Sequence, residues 1–397
     1  MTRPKAPGLY ALTLGAFAIG TTEFVPVGLL PQIAQSLDVS IPSAGFLITG
    51  YALAVAVGAP SLTLALNRVP RKTALAILMA LFIAGNALAA LAPNYSILLG
   101  ARIVTALCHG TFFGIGALVA SSMVPKERSA AAISAMFSGL TLATVLGVPF
   151  GTFIGNRFGW HVPFGAIALL GTIALIGIWV LVPRIAYEAT NLRAELRALA
   201  SARLALALAT TTLGFAGVFT LFTYIAPLLE MISGFSAAAT SWLLVLFGIG
   251  TTAGNVLAGR YADRSLPATL ITTLVGLTVA LALSTIAWNS ALGATLSTFA
   301  IGFFGFATVT PLQLLVIRSA GKAQNLASSF NISAFNVGNA IGAALGGAVV
   351  ASGAPLPAIG IAASVVALTG TLAALLALYS LRERSRSTED GAGRMFG

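Results

Sequence analysis

Three ionisable side chains stand well inside long apolar stretches of this chain: Glu23, Arg102 and His109. A charge at the centre of a bilayer costs about 2.5–3.5 kcal/mol on insertion scales, so such residues mark function by default. An acid, a permanent cation and an imidazole together can take up, hold and pass on a proton. Burial disfavours the charged carboxylate, whereas a nearby guanidinium favours it. A histidine changes charge near neutral pH with little tuning. Arg102 and His109 are seven residues apart, about two helical turns, and would share one face. At 1.5 Å per residue, Glu23 and Arg102 both fall about 10 Å below the end of their segments, a common depth at which they can pair. Two readings follow: a proton path in which Glu23 couples, or a static Glu23–Arg102 bridge. His109 reads either as a relay or as a hydrogen-bonded packing residue.

Neutral polar residues in the same kind of segment are candidates for holding a cargo. They are Thr22, Tyr224, Gln313, Asn331, Asn336 and Asn339, with Thr223 and Asn255 behind them. Each serves equally well as an interhelical hydrogen-bonding group. Glu230 and His161 fall at segment ends and read as rim residues. The lone cysteine, Cys108, excludes an internal disulfide and reads as a small packing residue. No G-x-x-x-x-G-K-[ST] loop, H-E-x-x-H pair or G-x-S-x-G elbow occurs, which argues against ATP drive and against hydrolytic or metal catalysis. The expectation is therefore no enzyme and no cofactor, with a proton gradient as the source of energy.

The elements that position these residues are membrane helices. Charged residues are 8% of the chain and hydrophobic ones 58%, against about 25% charged in soluble domains. Twelve apolar segments, 9–31, 43–66, 73–92, 96–123, 130–155, 162–183, 204–230, 238–259, 268–288, 290–316, 326–350 and 355–380, have the roughly 20 residues that cross a bilayer. They are spans 1 to 12. Alternate gaps and the two termini hold 19 of the 21 Lys and Arg. The positive-inside rule then places both termini in the cytoplasm, and it explains the net charge of +11 without nucleic acid. Residues 1–183 form one six-helix bundle, 184–203 a cytoplasmic linker, 204–380 a second bundle and 381–397 a disordered cytoplasmic tail.

The two halves repeat. At a shift of 196 residues Ser40 falls on Ser236, Arg68 on Arg264, Lys126 on Lys322 and Gly151 on Gly347. The same shift puts Glu23 on Phe219, Arg102 on Thr298 and His109 on Gly305, which confines ionisable chemistry to the first half. Paired six-span repeats hold substrate at their interface and rock about it.

Over its whole length the sequence resembles the major facilitator superfamily. The run Asn67-Arg68-Val69-Pro70-Arg71-Lys72 is similar to the basic part of that family's loop after span 2. Asn67 replaces the acid and Thr63 the glycine, while the second copy, Gly259-Arg260-Tyr261-Ala262-Asp263-Arg264, keeps both. Arg102 matches the membrane arginine of span 4. Gly147-Val148-Pro149-Phe150-Gly151 resembles the glycine-proline motif of drug:proton antiporters, and the stretch from Gly20 to Pro31 resembles bacterial sugar-efflux and arabinose-efflux-permease-type members. The resemblance implies an all-α integral membrane fold of two pseudo-symmetric six-helix bundles in the bacterial inner membrane. It implies a monomer with a small-molecule substrate, protons and the lipid bilayer as partners. Gly147, Pro149 and Gly151 would serve as a flexible gating segment, and Arg68, Arg71, Asp263 and Arg264 as latches on the inner side. The activity implied is proton-coupled efflux of drugs or sugars. A proton-independent facilitator or importer of a sugar or nucleoside is the alternative, and a membrane sensor or embedded enzyme a distant one.

Overall fold

The computed structural model describes residues 7–66, 68–125, 129–184, 201–320 and 324–393. Twelve of its helices are long and apolar enough to cross a membrane. Those used below are span 1 (Pro7–Gly28), span 2 (Ile41–Ala65), span 3 (Arg71–Ala90), span 4 (Tyr95–Ser122), span 5 (Ala135–Phe158) and span 6 (His161–Leu181). In the second half they are span 7 (Ala202–Phe222), span 8 (Ala237–Ala262), span 10 (Ala291–Ser319), span 11 (Phe330–Ala351) and span 12 (Leu356–Ser380). The outer surface carries large apolar side chains such as Phe150, Ile286 and Trp242. An aqueous surface does not tolerate so continuous an apolar face; a bilayer requires it.

The repeat reappears in the helix caps. Ser40 and Ser236 open spans 2 and 8, each accepting a hydrogen bond from the backbone N–H three residues on. Asn94 and Ser290 do the same for spans 4 and 10. A capping oxygen satisfies one of the orphan N–H groups of a first turn. In span 1 the Thr13 hydroxyl donates to the Ala135 carbonyl, and in span 7 the Thr212 hydroxyl donates to that of Ala334. Those pairs are offset by 199 residues, not 196, so Phe222 rather than Phe219 is the structural counterpart of Glu23. The counterpart is neutral either way.

Two further features depart from the sequence reading. Spans 4 and 10 each carry one irregular turn in the middle, at Cys108 and Thr308, where the backbone stays in the right-handed helical region. Arg102 and His109 therefore flank an irregular turn of span 4. The backbone of the last helix runs through Gly393, where the sequence suggests disorder from residue 381. The segment Leu381–Asp390 contains neither Pro nor Gly, and its Arg and Glu are good helix formers. Most of the linker, 185–200, lies outside the described residues.

The two halves touch unevenly. One buried cluster belongs to the first half alone, built on Leu12, Ile19, Met79, Phe82, Phe112 and Phe164. A second, with Leu204, Leu270, Leu312, Leu315 and Leu378, belongs to the second half and lies toward the end that carries the basic loops. A third joins both halves: Phe24, Val27, Leu30, Ala44 and Ile48 pack with Phe219, Phe222, Tyr224, Ile225 and Leu228. It lies toward the opposite end, which the molecule thus holds closed.

Candidate functional site

Spans 1, 2 and 4 bring the three ionisable residues together, but not as a carboxylate–guanidinium bridge. The Arg102 guanidinium donates to the backbone carbonyls of Thr22 and Glu23, the latter at 3.2 Å, and to that of Leu47 at 3.5 Å. Its face lies 4.0 Å from the centre of the Tyr51 ring, a cation–π contact. Arg102 is thereby committed to the backbones of spans 1 and 2. The side chain of Glu23 turns to His109, with Oε2 4.0 Å from Nδ1. Among the described residues this is the one ion-pair contact Glu23 makes. The Tyr51 hydroxyl lies 3.2 Å from the same Nδ1. Glu23, Arg102 and His109 are all buried, Glu23 at 8% exposure. The common depth inferred for Glu23 and Arg102 is real, yet the guanidinium meets backbone there.

Tyr51 is a member of this site that the sequence reading missed. Its depth carried the signal: it lies ten residues into span 2, level with the middle of the other helices. Tyrosine is ordinarily neutral near pH 7, so a search for charged residues passes over it.

The predicted cargo residues do not form one surface. The Thr22 hydroxyl donates to Asn86 Oδ1 at 2.6 Å, toward span 3, and Asn86 donates in turn to the Phe82 carbonyl. Successive residues of a helix point about 100° apart, so Thr22 cannot share the outlook of Glu23. Tyr224 is keyed between spans 2 and 11. Its hydroxyl donates to the Ala343 carbonyl at 3.1 Å and fills the space where Gly45 and Gly347 lack side chains. Gln313 accepts from Asn331 Nδ2 at 2.6 Å, and Asn336 donates to the Ile332 carbonyl. The Oδ1 atoms of Asn331, Asn336 and Asn339 are buried without a hydrogen-bond partner among the described residues. Asn255 accepts from Thr310, and the Thr223 hydroxyl donates within its own helix.

What does lie between the halves is aromatic. Phe24 and Val148 of the first half, with Phe222, Leu244, Phe247 and Phe306 of the second, line a small pocket whose polar member is Thr144. Phe222 and Phe247 stack with centroids 4.2 Å apart, and Phe24 meets both Phe219 and Phe222. Phe215, Phe219 and Phe222 recur at helical spacing along span 7, and Phe335 of span 11 meets Phe215 edge-on at 4.9 Å. The sequence carried this spacing, but phenylalanine in an apolar helix reads as ordinary packing.

Gly147, Pro149 and Gly151 lie where span 5 is irregular. A π-helical turn, Ala143–Gly147, precedes the proline. Proline removes a backbone donor and clashes with the preceding turn, and a π-turn is one way a helix absorbs this. The glycines face span 1 of the same half: Gly147 packs on Thr21, and Gly151 on Val25. The opposite half is met by Thr144 and Val145, on which Gly248 of span 8 closes. The Thr144 and Thr251 hydroxyls lie 3.4 Å apart across that boundary. Arg68 and Arg264 are exposed at the basic end, and among the described residues neither they nor Arg71 pairs with an acid. The side chain of Asp263 lies outside the described residues. No group of His, Cys, Asp or Glu suited to a metal ion occurs among the described residues.

The chain matches the Major Facilitator Superfamily family model over residues 12–330 and again over 234–395. It is 46% identical over 378 residues to an inner membrane transport protein, YdhP, of Escherichia coli K12, covering 95% of this chain and 96% of that protein. It is 35% identical to a chloramphenicol resistance protein of Streptomyces lividans, covering 84% and 86%. A probable sugar efflux transporter of Helicobacter pylori G27 is 31% identical, covering 94% of each chain. Among solved structures, a bacterial homologue of the human lysosomal transporter Spinster, in an inward-facing and unoccupied conformation, superposes with a TM-score of 0.74 at 17% identity, covering 96% and 98%. A continuous match of this extent, on a twelve-span repeat with a buried charged site in its first half, decides the family: the chain is a membrane transporter of the Major Facilitator Superfamily.

Proposed function

We propose that this transporter is a proton-coupled exporter of small organic molecules in the bacterial inner membrane, with its basic end and both termini in the cytoplasm. The observation that carries the reading is the division of labour around Arg102. The guanidinium ties spans 1 and 2 to span 4 through backbone carbonyls, while the Glu23 carboxyl group faces His109. Glu23 can then gain or lose a proton without the helix tie being broken. With the non-basic end closed, cargo would reach the site from the cytoplasm, as in an inward-facing conformation such as that named for the Spinster homologue. Cargo binds there, and a proton taken up from the opposite side after reorientation drives release.

The aromatic lining between the halves favours apolar, ring-bearing cargo, such as the compound in the name of the Streptomyces relative. The unpartnered amide oxygens of Asn331, Asn336 and Asn339 favour a second reading. A buried acceptor left without a donor costs about 1–3 kcal/mol, and the hydroxyls of a sugar would satisfy it.

The test is transport into proteoliposomes with an imposed pH gradient, comparing chloramphenicol with a panel of sugars. Glu23→Gln is expected to abolish accumulation against a gradient while leaving counterflow. Gradient-driven accumulation at the wild-type level in Glu23→Gln would end the coupling proposal. Sugar movement without any aromatic transport would decide for the second cargo class.

A further inference from the structure

A surface far from the transport site has the chemistry of a lipid-binding groove. Spans 3 and 6 are antiparallel neighbours in the first half. They meet closely where Gly171 packs on Phe82 and Ile83. Between that contact and the basic end they leave an open groove lined by Thr73, Ala76 and Ala80 of span 3 and by Leu175, Ile176 and Trp179 of span 6. Thr73, Ala76 and Ala80 are small and recur on one helix face, and with the half-exposed Ile77 beside them they leave an open apolar groove of about 480 Å³ along which a chain can lie. Its span 6 wall is bulky and faces outward, with Trp179 60% exposed.

The end of this groove is positively charged. Lys72 Nζ stands 5.8 Å from the centre of the Trp179 ring. Arg71 and Lys72 occupy the first turn of span 3, which has no acidic residue and no side-chain cap. A helix N-terminus carries partial positive charge and free N–H groups, so an uncapped one beside two cations favours an anion. Trp and Lys at a span end also belong at headgroup level, where an indole and a long amine straddle apolar and polar layers. Apolar groove, indole and cations follow one another in the order of acyl chain, glycerol region and phosphate in a lipid molecule.

We propose that this groove binds an anionic phospholipid of the basic-side leaflet, with an acyl chain between spans 3 and 6 and the phosphate at Lys72 and the first turn of span 3. The anionic class follows from the charge. A zwitterionic headgroup would bring its own ammonium to a place already holding two cations.

Native mass spectrometry of the full-length protein in detergent tests the proposal, with phosphatidylglycerol and phosphatidylcholine of identical acyl chains offered in competition. Preferential retention of phosphatidylglycerol is expected. Lys72→Gln should lower that preference about fivefold, the worth of one cation near an anionic surface. Trp242→Ala, on a remote and 73% exposed position of span 8, should leave it unchanged. Glycerol phosphate as a third competitor distinguishes lipid from free phosphate, and it should not displace the lipid. Equal retention of the two lipids, displacement by glycerol phosphate, or an unchanged preference in Lys72→Gln would each overturn the proposal. A photoreactive residue in place of Trp179 should label lipid. Labelling of residues 185–200 in its place would show that the chain covers its own groove, and the proposal would fail.

Discussion

Arg102 and Tyr51 do different work in one cluster, and substitution separates them. Arg102 supplies hydrogen bonds to three backbone carbonyls, a geometry that the planar guanidinium allows and the single ammonium of lysine does not. Arg102→Lys is therefore expected to keep the charge and lose much of the tie. Hydrogen bonds to charged groups are worth about 1.5–3 kcal/mol each, so a clear fall in melting temperature should be seen by differential scanning fluorimetry in detergent. A melting temperature equal to wild type would mean that the tie contributes nothing. Tyr51→Phe keeps the ring over the guanidinium and removes only the hydroxyl beside His109 Nδ1. A neutral hydrogen bond contributes about 1 kcal/mol, so stability should barely change, while the pH dependence of gradient-driven transport should shift. An unchanged pH profile would remove Tyr51 from the proton path. The charged members of this cluster were legible in the sequence because ionisable side chains are rare in apolar helices. The partner of each was not, because depth along a helix says nothing of rotation about it. Arg102 thus reached the carbonyls of Thr22 and Glu23, and the carboxyl group reached His109.

Span 7 ends in a wedge. Tyr224 follows its last helical residues and inserts its ring between spans 2 and 11, with the hydroxyl in the notch left by Gly45. The notch belongs to the first half and the wedge to the second, so the contact exists only while the non-basic end is closed. A methyl group at residue 45 would overlap the Tyr224 hydroxyl. Gly45→Ala is accordingly expected to hold that end open, read as increased thiol-reagent labelling of a cysteine placed at Ile48, in the apolar contact between the halves. Adding Tyr224→Ala removes the overlapping ring and should restore low labelling. If the double variant labels as strongly as Gly45→Ala alone, the notch does not seat the wedge. Sequence patterns had marked Tyr224 as a cargo residue, since a tyrosine in an apolar run advertises a hydroxyl but not its neighbour. Gly45 had no mark at all, being one of 42 glycines. Most ends of the spans, in contrast, were legible within a few residues, because hydrophobic runs and the basic gaps between them are properties of a single segment. The largest departure is the end of span 7, carried to residue 230 where the helix stops at Phe222 and the apolar run continues past it.

Two repeated bundles joined at one end make a molecule that has to open there if it works by alternating access. The twofold arrangement was visible in the loop charges. Which end is shut was not, since that depends on contacts between residues some three hundred positions apart, such as Pro42 and Gly347. A Cβ at residue 347 would lie 3.9 Å from the Pro42 Cα, which brings the two backbones within the Cα–Cα span of about 4.4–6.8 Å that a disulfide bridges. In a Tyr224→Ala background, which removes the hydroxyl that a Cβ at residue 347 would meet at 2.6 Å, cysteines at positions 42 and 347 should therefore form a bond across the closed end. The only native cysteine, Cys108, is buried and can be replaced by Ala to clear the background. Oxidation of this double-cysteine variant is expected to abolish transport by fixing the halves in the conformation described here, and reduction to restore it. The bond would also leave the basic end free to bind cargo, so equilibrium binding of a transported compound should persist while turnover stops. Transport at the wild-type rate with the bond formed would mean that cargo crosses without separation of spans 2 and 11, and rocking of the two halves about a central site would have to be abandoned.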